Sequence, residues 1–131
     1  MNKSKNIPKG ILDFVFSFLC ENSSFKSKIT NQQIDLAVQK FIKAKPLQDS
    51  HIRKIVWAIR MNYHFVNEHD ETGWLCADGD GYYVSYNAQH ILKHAQQYKG
   101  RINKMIMIHS KCVTLLTGKL YTIQGKLDLY I

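Results

Sequence analysis

Hydrophobic positions along this chain recur at helical spacing in four stretches and cluster β-style in one. Ile11, Leu12, Val15, Phe16, Phe18 and Leu19 give the first helix a wide apolar face. Asn22-Ser23-Ser24 breaks it. Ile34, Val38, Phe41 and Ile42, with Ala37 alongside, mark the second helix. Ile52, Ile55, Val56 and Ile59 fall at i, i+3, i+4 and i+7, one buried stripe of a third helix. That helix starts near Asp49 and runs through Arg60 to about Tyr63 or Phe65. Ile91, Leu92, Ala95, Tyr98, Ile102 and Met105 through Ile108 carry a long fourth helix to about Leu116.

Boundary residues agree with these periods. Thr30 can cap the second helix, with Gln33 at the partner position of a capping box. Pro46 stops that helix or forces a turn, because it drives Lys45 out of the α region. Asp49 or Ser50 can cap the third helix, and Ser85 or Asn87 the fourth. Gly100 is the one candidate for a break in the fourth. Between the third and fourth helices the pattern changes. Trp74-Leu75-Cys76-Ala77 and Tyr82-Tyr83-Val84-Ser85-Tyr86 read as strands, joined by Asp78-Gly79-Asp80-Gly81, residues that suit tight turns.

This order predicts a mostly α protein with a small β-hairpin: a winged helix-turn-helix domain with a long C-terminal helix. Residues 1–9 read as a mobile basic N-terminus, 10–117 as the domain with its long helix, and 118–131 as a tail. The tail alternates at its end, which predicts a strand or an extended arm. The fourth helix is apolar nearly all round, a property of helices buried in an interface, and it predicts a homodimer through that helix.

The charge narrows the partners. Eighteen Lys and Arg against ten Asp and Glu leave a formal net charge of +8, which favours an anionic partner. Cys20, Cys76 and Cys112 are odd in number and contain no CxxC pair, so reduced thiols are expected. The apolar run Ile11–Cys20 contains Asp13, has no small-x-small cleavage site and is too short for a bilayer. A core helix of a cytoplasmic protein, with no membrane partner, is the expectation.

The third helix carries the candidate chemistry. With its aliphatic stripe inward, its other faces hold Ser50, His51, Arg53, Lys54, Trp57 and Arg60. In a helix-turn-helix the second helix enters the major groove, where Arg and Lys suit guanine and Ser or His can donate or accept. Lys40, Lys43 and Lys45 can supply phosphate contacts from the preceding helix and turn. Trp57 is expected to pack under the hairpin or a neighbouring helix more readily than to stack on a base. The hairpin tip, with Asp78 and Asp80, would repel phosphate, so the hairpin is expected to brace rather than to bind.

No reaction is indicated. GxSxG, GxxxxGK[ST] and GxGxxG are all missing from the sequence. Asp78-Gly79-Asp80-Gly81 looks like the start of a calcium loop, but the twelfth position is Gln89 rather than Glu. His90 and His94 have the i, i+4 spacing of two metal ligands, with no HExxH and no further ligand nearby in sequence. Neither a metal nor a cofactor is expected, and the protein reads as non-enzymatic.

The ordered set Arg53-Lys54-Ile55-Val56, Ile59-Arg60, Trp74-Leu75-Cys76-Ala77-Asp78 and Gly81-Tyr82-Tyr83-Val84 resembles a winged helix-turn-helix class of bacteriophage and prophage proteins. A capped helix follows in that class, and here Ala88–Ile102 occupies its place. The resemblance covers roughly residues 47–108 and extends more loosely back to Ile29. It implies binding of double-stranded DNA by a phage or mobile-element regulator or replication accessory, with Ser50, His51, Arg53, Lys54 and Trp57 exposed on the reading helix. Two stretches depart from the class: Met61–Gly73 is longer and acidic, and the helix before Pro46 is longer. Those departures suit the alternative, a protein-interaction module on the same scaffold.

Overall fold

The computed structural model describes residues 7–43 and 49–130, with side chains described over 7–43 and 51–120. The elements are α1 (Lys9–Asn22), α2 (Asn31–Ile42), α3 (Asp49–Asn62), β1 (Phe65–Val66), β2 (Thr72–Asp78), β3 (Gly81–Ser85) and α4 (Ala88–Tyr130). The chain divides into two compact units, Met1–His94 and Ala95–Ile131. The protein is mostly helical with a small antiparallel sheet in the order β1-β2-β3.

The aliphatic stripes read from the sequence make the core of the first unit. Val15 and Leu19 of α1, Ile34 and Val38 of α2, and Ile52, Ile55, Val56 and Ile59 of α3 are buried together with Phe65, Leu75 and Val84 of the sheet. Fully burying a side chain of this size stabilises the fold by about 1.5–3 kcal/mol relative to exposure. The core therefore fixes which face of α3 is turned outward.

Local chemistry sets the ends. Thr30 and Gln33 make the reciprocal capping box at the start of α2. The helix stops at Ile42 because Lys43 turns into the left-handed region, φ 52 and ψ 43. Asn87 Oδ1 accepts from the Gln89 amide at 2.8 Å and starts α4. Asp49 and Ser50, expected as caps, are already the first two residues of α3; their side chains, and the turn at Pro46, lie outside what is described.

The sheet is larger than a hairpin. β2 and β3 pair from Trp74 with Ser85 to Asp78 with Gly81, around the turn Gly79-Asp80. Asp78 Oδ1 accepts from the Asp80 amide at 2.8 Å and organises that turn. Phe65 leaves the helical pattern and pairs with Gly73, which adds β1. On the other edge of β3, Ile29 and Tyr82 exchange backbone hydrogen bonds of 2.8 and 2.7 Å. Ser23 Oγ accepts from the Val84 amide at 3.0 Å, which ties the end of α1 to the same strand. Neither Ile29 nor β1 is marked by alternation in the sequence, because each pairs through only one or two residues.

The expected strand or arm after residue 118 is corrected: α4 continues without interruption to Tyr130, through Gly100 and Gly118. Spacing of three and four residues persists through Leu116, Leu120, Ile123, Leu127 and Tyr130, and this period prevails over the short alternation at the end. No described helix is long and apolar enough to cross a membrane.

Candidate nucleic-acid interface

Helix α3 stands on its aliphatic stripe, and Ala58 is buried with it. At 100° per residue, Arg53, Trp57 and Met61 line up at i, i+4 and i+8 on the opposite side. All three are exposed: Trp57 is 52% accessible and Met61 61%. Lys54 lies half-buried beside this ridge, and His51 is exposed in the first turn. Trp57 therefore does not pack under the hairpin or a neighbouring helix as its spacing allowed. It is the centre of the outer face.

Arg60 differs from the other expected contacts. Its Nε–H donates to the carbonyl oxygen of Leu75 at 2.8 Å, and its guanidinium lies 5.9 Å from the centroid of Tyr82. It sits one step from Val56 on the helix surface, at the edge of the buried face, so its long side chain reaches the sheet. Arg60 is a brace from α3 to β2 and β3, not part of the outer ridge. Lys40 and Lys43 are exposed at the end of α2. Lys45 and the Ser50 side chain lie outside the described residues.

The hairpin tip is acidic but held. Lys28 Nζ lies 2.5 Å from Asp78 Oδ2 and also 4.7 Å from the Phe25 ring centroid. The Lys28 hydrogen bond, followed by that of the Asp80 amide, keeps the Asp78 carboxyl below its ordinary range. The same bond pushes the Lys28 ammonium up. One of the two tip charges is thus matched inside the protein. The acidic stretch before β2 is likewise a folded turn, with Asn67 Oδ1 accepting from the amides of His69 and Glu71 at 3.0 and 2.9 Å.

The histidines are drawn apart rather than converged. Ser85 Oγ lies 2.7 Å from His90 Nδ1, and the His90 ring stacks on Phe25 at 4.3 Å between centroids. The Ser85 hydroxyl also accepts from the Asn87 amide at 3.1 Å, so it belongs to the start of α4. His94, only 4% exposed, accepts from Trp74 Nε1 at 3.1 Å. Among the described residues no three His, Cys, Asp or Glu side chains are grouped to hold a metal ion. Cys76 is buried, and burial pushes its thiol up despite the nearby Arg60 charge.

Sequence reasoning missed Lys28 and Met61, and it missed the role of His94 as the acceptor for Trp74. Lys28 carries no local signal, since its partner is fifty residues away. Met61 was legible as the next step of the Arg53–Trp57 ridge. Comparison with protein-family models, with curated proteins and with solved structures returned no match.

Proposed function

We propose that this protein is a non-enzymatic winged-helix DNA-binding protein, a phage or mobile-element regulator or replication accessory, with α3 as the helix that enters the major groove. The observation that carries this reading is the outer ridge of α3. Arg53, Trp57 and Lys54 lie on a helix whose opposite stripe is wholly buried, so the basic face cannot rotate away. The order of elements supports it: α1, the extended residue Ile29 on the sheet edge, α2, α3, then the β2–β3 hairpin, as in a winged helix-turn-helix. The net charge of +8 supplies the general attraction to phosphate. Arg53 and Lys54 would meet bases or phosphates, Lys40 and Lys43 the flanking backbone, and Trp57 an apolar edge such as a thymine methyl.

The test is fluorescence anisotropy on a random duplex pool, with the Arg53→Ala, Lys54→Ala double variant beside the parent. Two lost contacts at about 1–3 kcal/mol each predict a loss of affinity of at least tenfold, with circular dichroism unchanged. Equal binding by a folded double variant rules the reading out.

A second reading, a protein-interaction module on the same scaffold, is favoured by one observation. Trp57 and Met61 expose apolar surface on the same ridge, and large exposed aromatic residues anchor protein interfaces. It predicts no duplex binding by the parent chain, and a partner whose capture is lost in Trp57→Ala.

A further inference from the structure

The second compact unit, Ala95–Ile131, consists of one continuous helix as far as it is described. From Ala95 to Leu120 every residue except Gln97 is exposed. Those exposed residues include Ile102, Ile106, Val113, Leu116 and Leu120, each about half accessible. An isolated helix draws most of its stability from packing an apolar face, so this stripe calls for a cover.

The spacing of the stripe says what the cover is. Ile106, Val113, Leu120 and Leu127 repeat every seven residues, as do Ile102, His109, Leu116, Ile123 and Tyr130. The two series interleave at steps of four and three, which is the a and d pattern of a coiled coil. Eight of these nine positions are apolar. The positions opposite the seam are Lys104, Lys111, Gly118 and Gly125, with no apolar side chain among them. Asn103, Ser110, Thr117 and Gln124 occupy the e positions, uncharged and able to sit beside Lys119 and Lys126 at g without repulsion.

We infer that α4 pairs with α4 of a second copy of this chain, in parallel and in register, along the seam from Ile102 to Tyr130. The five described apolar seam side chains, at roughly 100 Å² each, bring about 500 Å² per copy, and the same spacing continues in the sequence through Ile123, Leu127 and Tyr130 toward the roughly 800 Å² per partner of a standard interface. Ile and Val at a with Leu at d, in the heptads around Ile106, Val113 and Leu116, favour two strands. The later heptad, with Leu120 at a and Ile123 at d, leans the other way, toward three or four strands, so the mass measurement below decides the number.

His109 fixes the direction. A parallel pair stacks a on a and d on d, so His109 faces its own counterpart. One imidazole then donates an N–H to the unprotonated nitrogen of the other. An antiparallel pair over the same segment stacks a on d and places His109 opposite Leu120. There a ring nitrogen enters the seam with no partner, which costs stability. A single polar core position commonly specifies register in this way, at some expense in affinity.

The test is light scattering on the full chain at tens of micromolar. The expected mass is twice the 15.2 kDa of the chain. Leu116→Asp, on the seam, should return it to a single chain, while Leu115→Asp, at c and off the seam, should keep it doubled. A single-chain mass for the parent, a mass of three or more chains, or equal effects of the two variants overturns the inference. For direction, His109→Cys is placed in a Cys20→Ser, Cys112→Ser background and oxidised. An interchain disulfide is expected within the doubled species, and its absence there overturns the parallel arrangement. Pairing does not rest on the DNA reading: Arg53→Ala with Lys54→Ala should leave the mass doubled.

Discussion

The indole N–H of Trp74 donates to Nδ1 of His94 at 3.1 Å, joining the middle of the sheet to the second turn of α4. The contact requires Nδ1 of His94 to be without a proton, and it seats a ring that is only 4% exposed. His94→Ala would remove the acceptor and leave the indole N–H in a half-buried site. A loss of about 1–3 kcal/mol is expected in urea unfolding. Trp74→Phe combined with His94→Ala should cost less than the sum of the two single changes, because the hydrogen bond is lost only once. Strict additivity would show that the pair is not coupled.

Gly81 is a position where the turn of the hairpin admits no side chain. Its φ is +134°, and a Cβ there would stand 2.6 Å from the carbonyl oxygen of Ile29. The obstacle is backbone, held by the paired hydrogen bonds between Ile29 and Tyr82, so it cannot swing aside. Gly81→Ala should lower stability by roughly 2 kcal/mol or more. Gly79→Ala, with nothing within 4 Å, should be close to neutral. Thermal melts of the two variants check the contrast, and equal melting temperatures would contradict it.

Asp78 and Lys28 make stability depend on pH in a defined direction. The folded chain holds the Asp78 carboxyl below its ordinary range, chiefly through Lys28. The unfolded chain therefore takes up that proton more readily. The stabilisation is complete above about pH 4, the ordinary carboxylate range, and is lost as pH falls through the folded value. Asp78→Asn should melt below the parent at pH 7, and the gap should narrow steadily toward pH 2.5. A gap that stays constant with pH would show that the carboxylate charge is not what matters.

These pairs mark the boundary of what the sequence discloses. Helical periods, the Thr30–Gln33 capping box and the Asp78–Gly81 turn are local, so their residues announce them. The inward stripe of α3 was legible for the same reason, and with it Arg53 on the outside. Arg60 was not, because a residue at the rim of a buried face goes to solvent or to a neighbour according to what stands beside it. Here the Leu75 carbonyl does. Trp57 is the converse case: large and apolar, it suited the core, but Arg60 and Tyr82 already stack where the helix meets the sheet. The tail misled through its last residues, whose alternation is too short to outweigh the three-four spacing that precedes it.

The ridge of α3 separates charge from shape, and salt can tell them apart. Each phosphate neutralised by a side chain releases counterions, so the logarithm of affinity falls with the logarithm of salt at about 0.9 per contact on duplex DNA. Lys43 is exposed beyond the end of α2, and if it meets a phosphate as proposed, Lys43→Ala should flatten that slope by about one contact. Trp57 bears no charge. Trp57→Ala should weaken binding with the slope unchanged, because what is lost is apolar contact. Arg60→Ala should lower thermal stability while leaving the slope unchanged, since its guanidinium is committed to Leu75 and Tyr82. Anisotropy titrations between about 50 and 200 mM salt resolve the three. A slope change in Arg60→Ala equal to that in Lys43→Ala would return Arg60 to the binding face and place the DNA edge nearer the sheet than α3 alone implies.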